Sequence, residues 1–169
     1  MSVPMDRLVR RAINGYITSI GVVAPSGNFN ERVIDLSNLG DPEVSGERLV
    51  QIVSGEHPPE MLQDASWVET FFIKTPQSIK TPSNQGVSHK IYQYALWIKT
   101  DKSLGVTENE YISDLFEMYF PNNLHIPIGG SVITILSTYQ QAVIVADNET
   151  GRLFNRVLID CEVYYKNNN

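Results

Sequence analysis

The last thirteen residues before the tail constrain this chain most. From Leu153 to Tyr165, Val157, Ile159, Cys161, Val163 and Tyr165 alternate with Arg156, Asp160, Glu162 and Tyr164. Side chains on a strand point to opposite faces with a period of two, so this segment reads as a long strand with one dry face. A strand apolar on one side only belongs to a sheet covered on one side, as antiparallel sheets commonly are. The segment from His89 to Thr100 repeats the pattern: Tyr92, Tyr94, Leu96 and Ile98 line one face, and Gln93, Ala95, Trp97 and Lys99 the other. Trp67–Lys74, rich in aromatic and β-branched residues, is a third strand candidate, and Ser131–Thr138 and Ala142–Ala146 are two more.

Two segments read as helices. Met5, Leu8, Val9, Ala12, Ile13 and Tyr16 recur at helical spacing, with Arg7, Arg10 and Arg11 on the other side and Asp6 one turn before Arg10. Ser2 before Pro4 is a start signal. The arginines are either an anion-contacting face or, in the plainer reading, a solvated one. The second helix is predicted over 107–120. Thr107-Glu108-Asn109-Glu110 has the T-x-x-E pattern of a capping box, Tyr111, Ile112, Leu115, Phe116, Tyr119 and Phe120 form the apolar stripe, and Pro121 ends it.

Two stretches resist this reading. Residues 21–66 hold turn chemistry (Pro25-Ser26-Gly27-Asn28, Gly40-Asp41-Pro42, His57-Pro58-Pro59) around short apolar runs, of which Leu49–Val53 is the best strand. The stretch reads as an arm or elaborated loop carrying one or two strands. Residues 75–88, with Pro76, Pro82 and Gly86, read as a long flexible loop. Asp147–Gly151 is a turn, and Lys166–Asn169 a fraying tail. Helices and strands do not alternate as βαβ units. The expected fold is therefore α+β: one domain over 1–169, a mainly antiparallel or mixed sheet with two helices packed on one face, plus long loop or arm insertions.

At 169 residues the chain buries enough surface to need no disulfide or metal staple. Cys161 is the single cysteine and falls on the dry face of its strand, the position of an inert thiol rather than a nucleophile. His57, His89 and His125 show no metal-ligand spacing, so no metal is expected. No G-x-S-x-G, Walker loop or G-x-G-x-x-G occurs; Gly129-Gly130 reads as a turn before a strand. Asp147–Gly151 lacks the span and the closing glutamate of a calcium loop. Asp160 and Glu162 share a strand face, where they either meet water or take a basic neighbour or cation. Trp97 with Lys99 and Lys90 is a thin platform for single-stranded nucleic acid. The net charge of −6 weighs against a grip on duplex phosphates. The expectation is no catalytic, cofactor or metal residue and no enzyme, with a small-molecule binder as the rival class. Met1–Arg7 has no signal-peptide apolar core and no apolar run is long enough for a bilayer, so a soluble protein made in the cytoplasm is expected.

From residue 89 to the end, the order of elements resembles the tail terminator (tail completion) proteins of long-tailed bacteriophages. The matching pieces are Ile91–Ile98, a turn with Gly105, the helix Tyr111–Phe120, Leu124, Ile128-Gly129-Gly130-Ser131-Val132 and the strand Arg156–Tyr165. The amino-terminal helix also fits. The resemblance implies a virion protein that forms a homohexamer ring, caps the tail tube, stops its polymerisation and meets the head-completion (neck) proteins. It further implies that genome DNA would pass through the lumen without specific binding, with no membrane involved and no residue acting as a catalyst. A neighbouring possibility is a head-completion or stopper protein of the neck.

Overall fold

A computed structural model describes residues 4–19, 22–23, 32–35, 49–55, 66–80, 86–101, 105–141, 145–146 and 152–166. The elements in order are α1 (Met5–Ser19), β1 (Val22–Val23), β2 (Arg32–Asp35), β3 (Leu49–Ser54), β4 (Trp67–Lys80), β5 (Val87–Thr100), α2 (Gly105–Tyr119), β6 (His125–Ile128), β7 (Ser131–Gln140), β8 (Val145–Ala146) and β9 (Leu153–Lys166). The strands form one sheet in the order β1-β2-β3-β4-β5-β9-β7-β6, with β8 also on β9. Only the β3–β4 pair is parallel among them. The fold is α+β, as the alternation in the sequence implies.

β5 and β9 pair along their whole length, from Val87 opposite Lys166 to Thr100 opposite Leu153. This register sets Tyr92, Tyr94, Leu96 and Ile98 beside Cys161, Ile159, Val157 and Asn155, and apart from Asn155 these make the floor of the core. Both helices lie on that floor. α1 buries Val9, Ile13 and Ile17, and α2 buries Ile112, Leu115 and Phe116, with Phe120 following its end. The helices also meet each other: Tyr16 donates to the Tyr119 carbonyl at 2.6 Å and its ring meets Phe120 edge-on at 5.0 Å. Polar ties fix α1 on the sheet. Tyr92 Oη donates to Asp6 at 2.6 Å, Lys90 Nζ donates to the same oxygen at 3.2 Å, and Tyr94 Oη donates to Asn14. Asn109 does the same for α2, its Nδ2 reaching the Ile98 and Leu153 carbonyls at 3.3 Å and Thr100 Oγ1 at 3.1 Å.

Four expectations need correction. Residues 75–88 are not a long loop: β4 runs to Lys80 and β5 begins at Val87, with Ser78, Ile79 and Lys80 opposite Lys90, His89 and Ser88. The pairing slips between Lys74 and Ser78, and Pro76 falls in that slip, where its missing N–H breaks no ladder bond. The stretch 21–66 contributes three strands, β1, β2 and β3, which continue the main sheet on the β4 side. Apart from Gly55 and Ser66, the rest of the stretch, its three turns included, lies outside the described residues. The capping box does not start α2. The helix begins at Gly105, so Thr107 lies within its first turn, and the buried Glu108 accepts from Ser66 Oγ at 2.8 Å. Lys166, given to the fraying tail, is the last residue of β9. The turn 147–151 lies outside the described residues.

Candidate functional site

The sheet has a second face on which no described element packs. Register assigns it. Trp67, Glu69, Phe71 and Ile73 of β4 stand opposite Lys99, Trp97, Ala95 and Gln93 of β5, and these in turn opposite Phe154, Arg156, Leu158 and Asp160 of β9. At one end the three strands build an interleaved set of aromatic rings and cations. Phe71 and Trp97 lie 4.3 Å apart between ring centres, and Trp97 meets Phe154 edge-on at 5.4 Å. The Arg152 guanidinium sits 4.3 Å above the Trp67 ring, and the Arg156 guanidinium 4.6 Å above Trp97 and 5.1 Å from Phe154. Lys99 Nζ is 5.7 Å from Trp67 and 6.0 Å from Trp97. Such stacking is electrostatic attraction to the ring face, and it holds the cations flat along the sheet. Buried Glu69 anchors the set: its Oε1 accepts from Trp67 Nε1 at 2.9 Å and pairs with Lys99 Nζ at 3.0 Å. Arg156 Nε is buried and finds no hydrogen-bond partner among the described residues.

The other end of this face is acidic and polar. Asp160 accepts from Gln93 Nε2 at 2.9 Å and from Ser137 Oγ at 3.2 Å. Glu162 pairs with His89 Nε2 at 2.7 Å, and the His89 ring stacks on Tyr164 at 4.2 Å. Asp160 and Glu162 therefore do share a face, but each is engaged by its own partners. Among the described residues no group of three His, Cys, Asp or Glu side chains is placed to hold a metal. His57 lies outside the described residues, and His125 hydrogen-bonds Thr134 at the far edge of the sheet.

The thin Trp97, Lys99 and Lys90 platform splits. Trp97 and Lys99 belong to the aromatic face, whereas Lys90 points to the helix side and binds Asp6. What sequence reasoning missed is the pair of period-two runs Trp67-x-Glu69-x-Phe71 and Arg152-x-Phe154-x-Arg156. Each was visible, but only the β4-β5-β9 order brings them beside Trp97. Cys161 is buried on the helix side. Burial, with the Asp160 and Glu162 charges beside it, pushes its thiol up to about 12, so it is a poor nucleophile at neutral pH. Gly129 and Gly130 form the two-residue turn between β6 and β7.

Two surfaces lie outside the sheet face. Arg7, Arg10 and Arg11 line an open cleft of about 390 Å³ with Asp6, Asn14 and Phe72, Arg10 stacking 5.3 Å above the Phe72 ring. On α2, Glu110, Asp114 and Glu117 are exposed along one ridge, beside Met118. No described helix is long and apolar enough to cross a membrane.

No protein-family model and no curated protein matches the chain. Among solved structures it is similar to a protein without a stated function, with a TM-score of 0.59 at 9% identity, over 98% of this chain and 99% of that one. At that identity the likeness concerns the fold alone.

Proposed function

We propose that this chain is a tail terminator protein of a long-tailed bacteriophage: a structural subunit of the virion that assembles as a ring on the end of the tail tube, halts tube growth and offers a surface to the neck proteins. The observation that carries the reading is the order β5-α2-β6-β7-β8-β9 over residues 87–166, which holds the strand–helix–strand succession on which the sequence resemblance turns. The kind of surface supports it too. The groups with most chemical character lie on an open sheet face and an exposed helix ridge rather than converging in an enclosed cleft, which suits a protein that works by contact. The net charge of −6 suits a channel through which DNA must pass without sticking.

The test is to add the purified chain to polymerising tail tubes and image the ends. The expected result is tubes of limited length with added density at one end. Tubes of uncontrolled length, with the protein at neither end, overturn the reading. Attachment to head-completion proteins without tube capping would instead mark a stopper of the neck.

A further inference from the structure

The first two turns of α1 carry Arg7, Arg10 and Arg11. They form one wall of the open cleft of about 390 Å³, whose lining also includes Asp6, Asn14 and Phe72. The volume falls in the ~300–1,000 Å³ range of small-molecule sites, but the lining is cationic where such sites are mostly apolar. Asp6 is the one carboxylate among the described lining residues. It is engaged from the sheet, accepting from Tyr92 Oη at 2.6 Å and pairing with Lys90 Nζ at 3.2 Å, so Lys90 offsets its charge. Arg10 is held over the Phe72 ring at 5.3 Å. Arg7 and Arg11, one turn apart, are exposed, and neither side chain is in an ion pair or hydrogen bond with a described residue. Arg7 also lies in the first turn of α1, at the positive end of the helix macrodipole, where an anion is favoured and a cation is not. Asn14 is oriented by Tyr94, whose Oη donates to its Oδ1 and leaves Nδ2 as a donor on the cleft wall.

We propose that this cleft binds a small ligand through two or more linked phosphate groups, with Arg7 and Arg11 as the guanidinium forks and Asn14 as a neutral donor. A carboxylate is planar, offers two oxygens and is satisfied by one fork. Linked phosphates present several oxygens and several charges, enough for both forks and the amide at once. The helix end and the two exposed guanidiniums then act on the same anion from one side. The rest of the ligand contributes little to recognition. The Phe72 ring is already met by Arg10, and by the Tyr92 and Tyr94 rings at 5.1 and 6.3 Å, so the described lining offers no uncovered ring to a nucleobase. Affinity therefore follows the number of phosphates and not the identity of a base.

The site stands apart from tube capping, which needs no ligand. The test is titration calorimetry of the purified full chain at low salt with phosphate, pyrophosphate, tripolyphosphate, ATP and tricarballylate, a carboxylate anion of charge comparable to pyrophosphate. Affinity is expected to rise from phosphate to tripolyphosphate, with ATP matching tripolyphosphate and tricarballylate weaker than pyrophosphate. R7Q/R11Q should weaken tripolyphosphate binding by about tenfold or more, since hydrogen bonds between ionised groups are the strong ones. Both side chains are exposed, so its melting temperature without ligand should match the wild type. R7K/R11K keeps the charge but loses the planar forks and should recover only part of the affinity. Three results overturn the proposal: no binding of tripolyphosphate, R7Q/R11Q binding it like the wild type, or tricarballylate binding as tightly as pyrophosphate, which would mark bare charge attraction. A duplex oligonucleotide that binds where tripolyphosphate does not would overturn it too, because the contact would then be a backbone surface and not a cleft. Tube capping by a chain that binds no polyphosphate would leave the terminator reading standing.

Discussion

Phe116 is fully buried at the centre of the α2 face, among side chains from both helices and the sheet floor. Phe116→Ala should cost roughly 3–5 kcal/mol in a urea melt, the lost transfer energy plus the cavity left behind. A loss below about 1 kcal/mol would show that neighbouring side chains close the space. Cys161 makes a different prediction, from its titration. Its thiol is raised from 9.0 to about 12 because burial and two neighbouring carboxylates oppose the thiolate. The fold therefore keeps the proton that the unfolded chain releases near 9.0. The stability contributed is whole below that pH and declines as pH rises toward about 12. Urea melts between neutral and strongly alkaline pH should show the wild type losing stability more steeply than Cys161→Ala. Parallel pH profiles would remove the thiol from the account. Both residues were legible in the sequence, because an apolar stripe and a period-two strand each declare their buried side. Asn109 was not. A polar residue in the first turn of a helix reads as solvated, and only the closeness of Thr100 and Leu153 reveals that it is fully buried and joins three strand groups.

At the scale of elements, local chemistry located the centres of the helices and long strands but misread several ends. Two prolines and a glycine suggested a loop over 75–88, yet β4 absorbs Pro76 in the slip between Lys74 and Ser78, and an unpaired position needs no N–H. The T-x-x-E pattern was a true helix signal in the wrong place. Glu108, one residue on from Thr107, is drawn inward to Ser66, forty-two residues earlier in the chain. No local rule contains such a partner. The β6–β7 hairpin shows local chemistry succeeding, with Ile128 opposite Ser131 across two glycines. Gly129 has φ of +50°, a conformation that L side chains adopt at a cost of roughly 1–2 kcal/mol. Its would-be Cβ meets nothing, so Gly129→Ala should lose about 1 kcal/mol from backbone strain alone. Gly130 is equally open but has no such φ, and Gly130→Ala should be nearly silent. Thermal melts of the two variants side by side decide: equal losses would mean that the turn holds no strain at Gly129.

For the whole molecule, the alternation identified which side of each strand is dry but not which strands are neighbours. β5 and β9 pair along fourteen residues each, although α2 and three strands intervene in sequence. That order is what assembles Trp67, Trp97, Phe154 and their cations, so the most distinctive surface of the molecule arises from topology rather than from any motif. The same topology predicts a gradient of stability. β5 lies between β4 and β9, and β9 between β5 and β7, while both contribute side chains to the core under the helices. β1 and β2 are two and four residues long at the far edge, and among the described strands β1 pairs with β2 alone. Local opening needs less energy where few buried contacts and few ladder bonds must break together. Hydrogen exchange followed with increasing urea should therefore separate two classes of amide. Those facing the partner strand in β5 and β9 should exchange only by global unfolding, sharing one steep dependence on urea. Those of β2 should exchange through openings that expose little surface and so depend weakly on urea. If β2 amides instead joined the steep class, β1, β2 and β3 would be bound into the same cooperative unit as the central sheet, and removing that edge should unfold the protein outright.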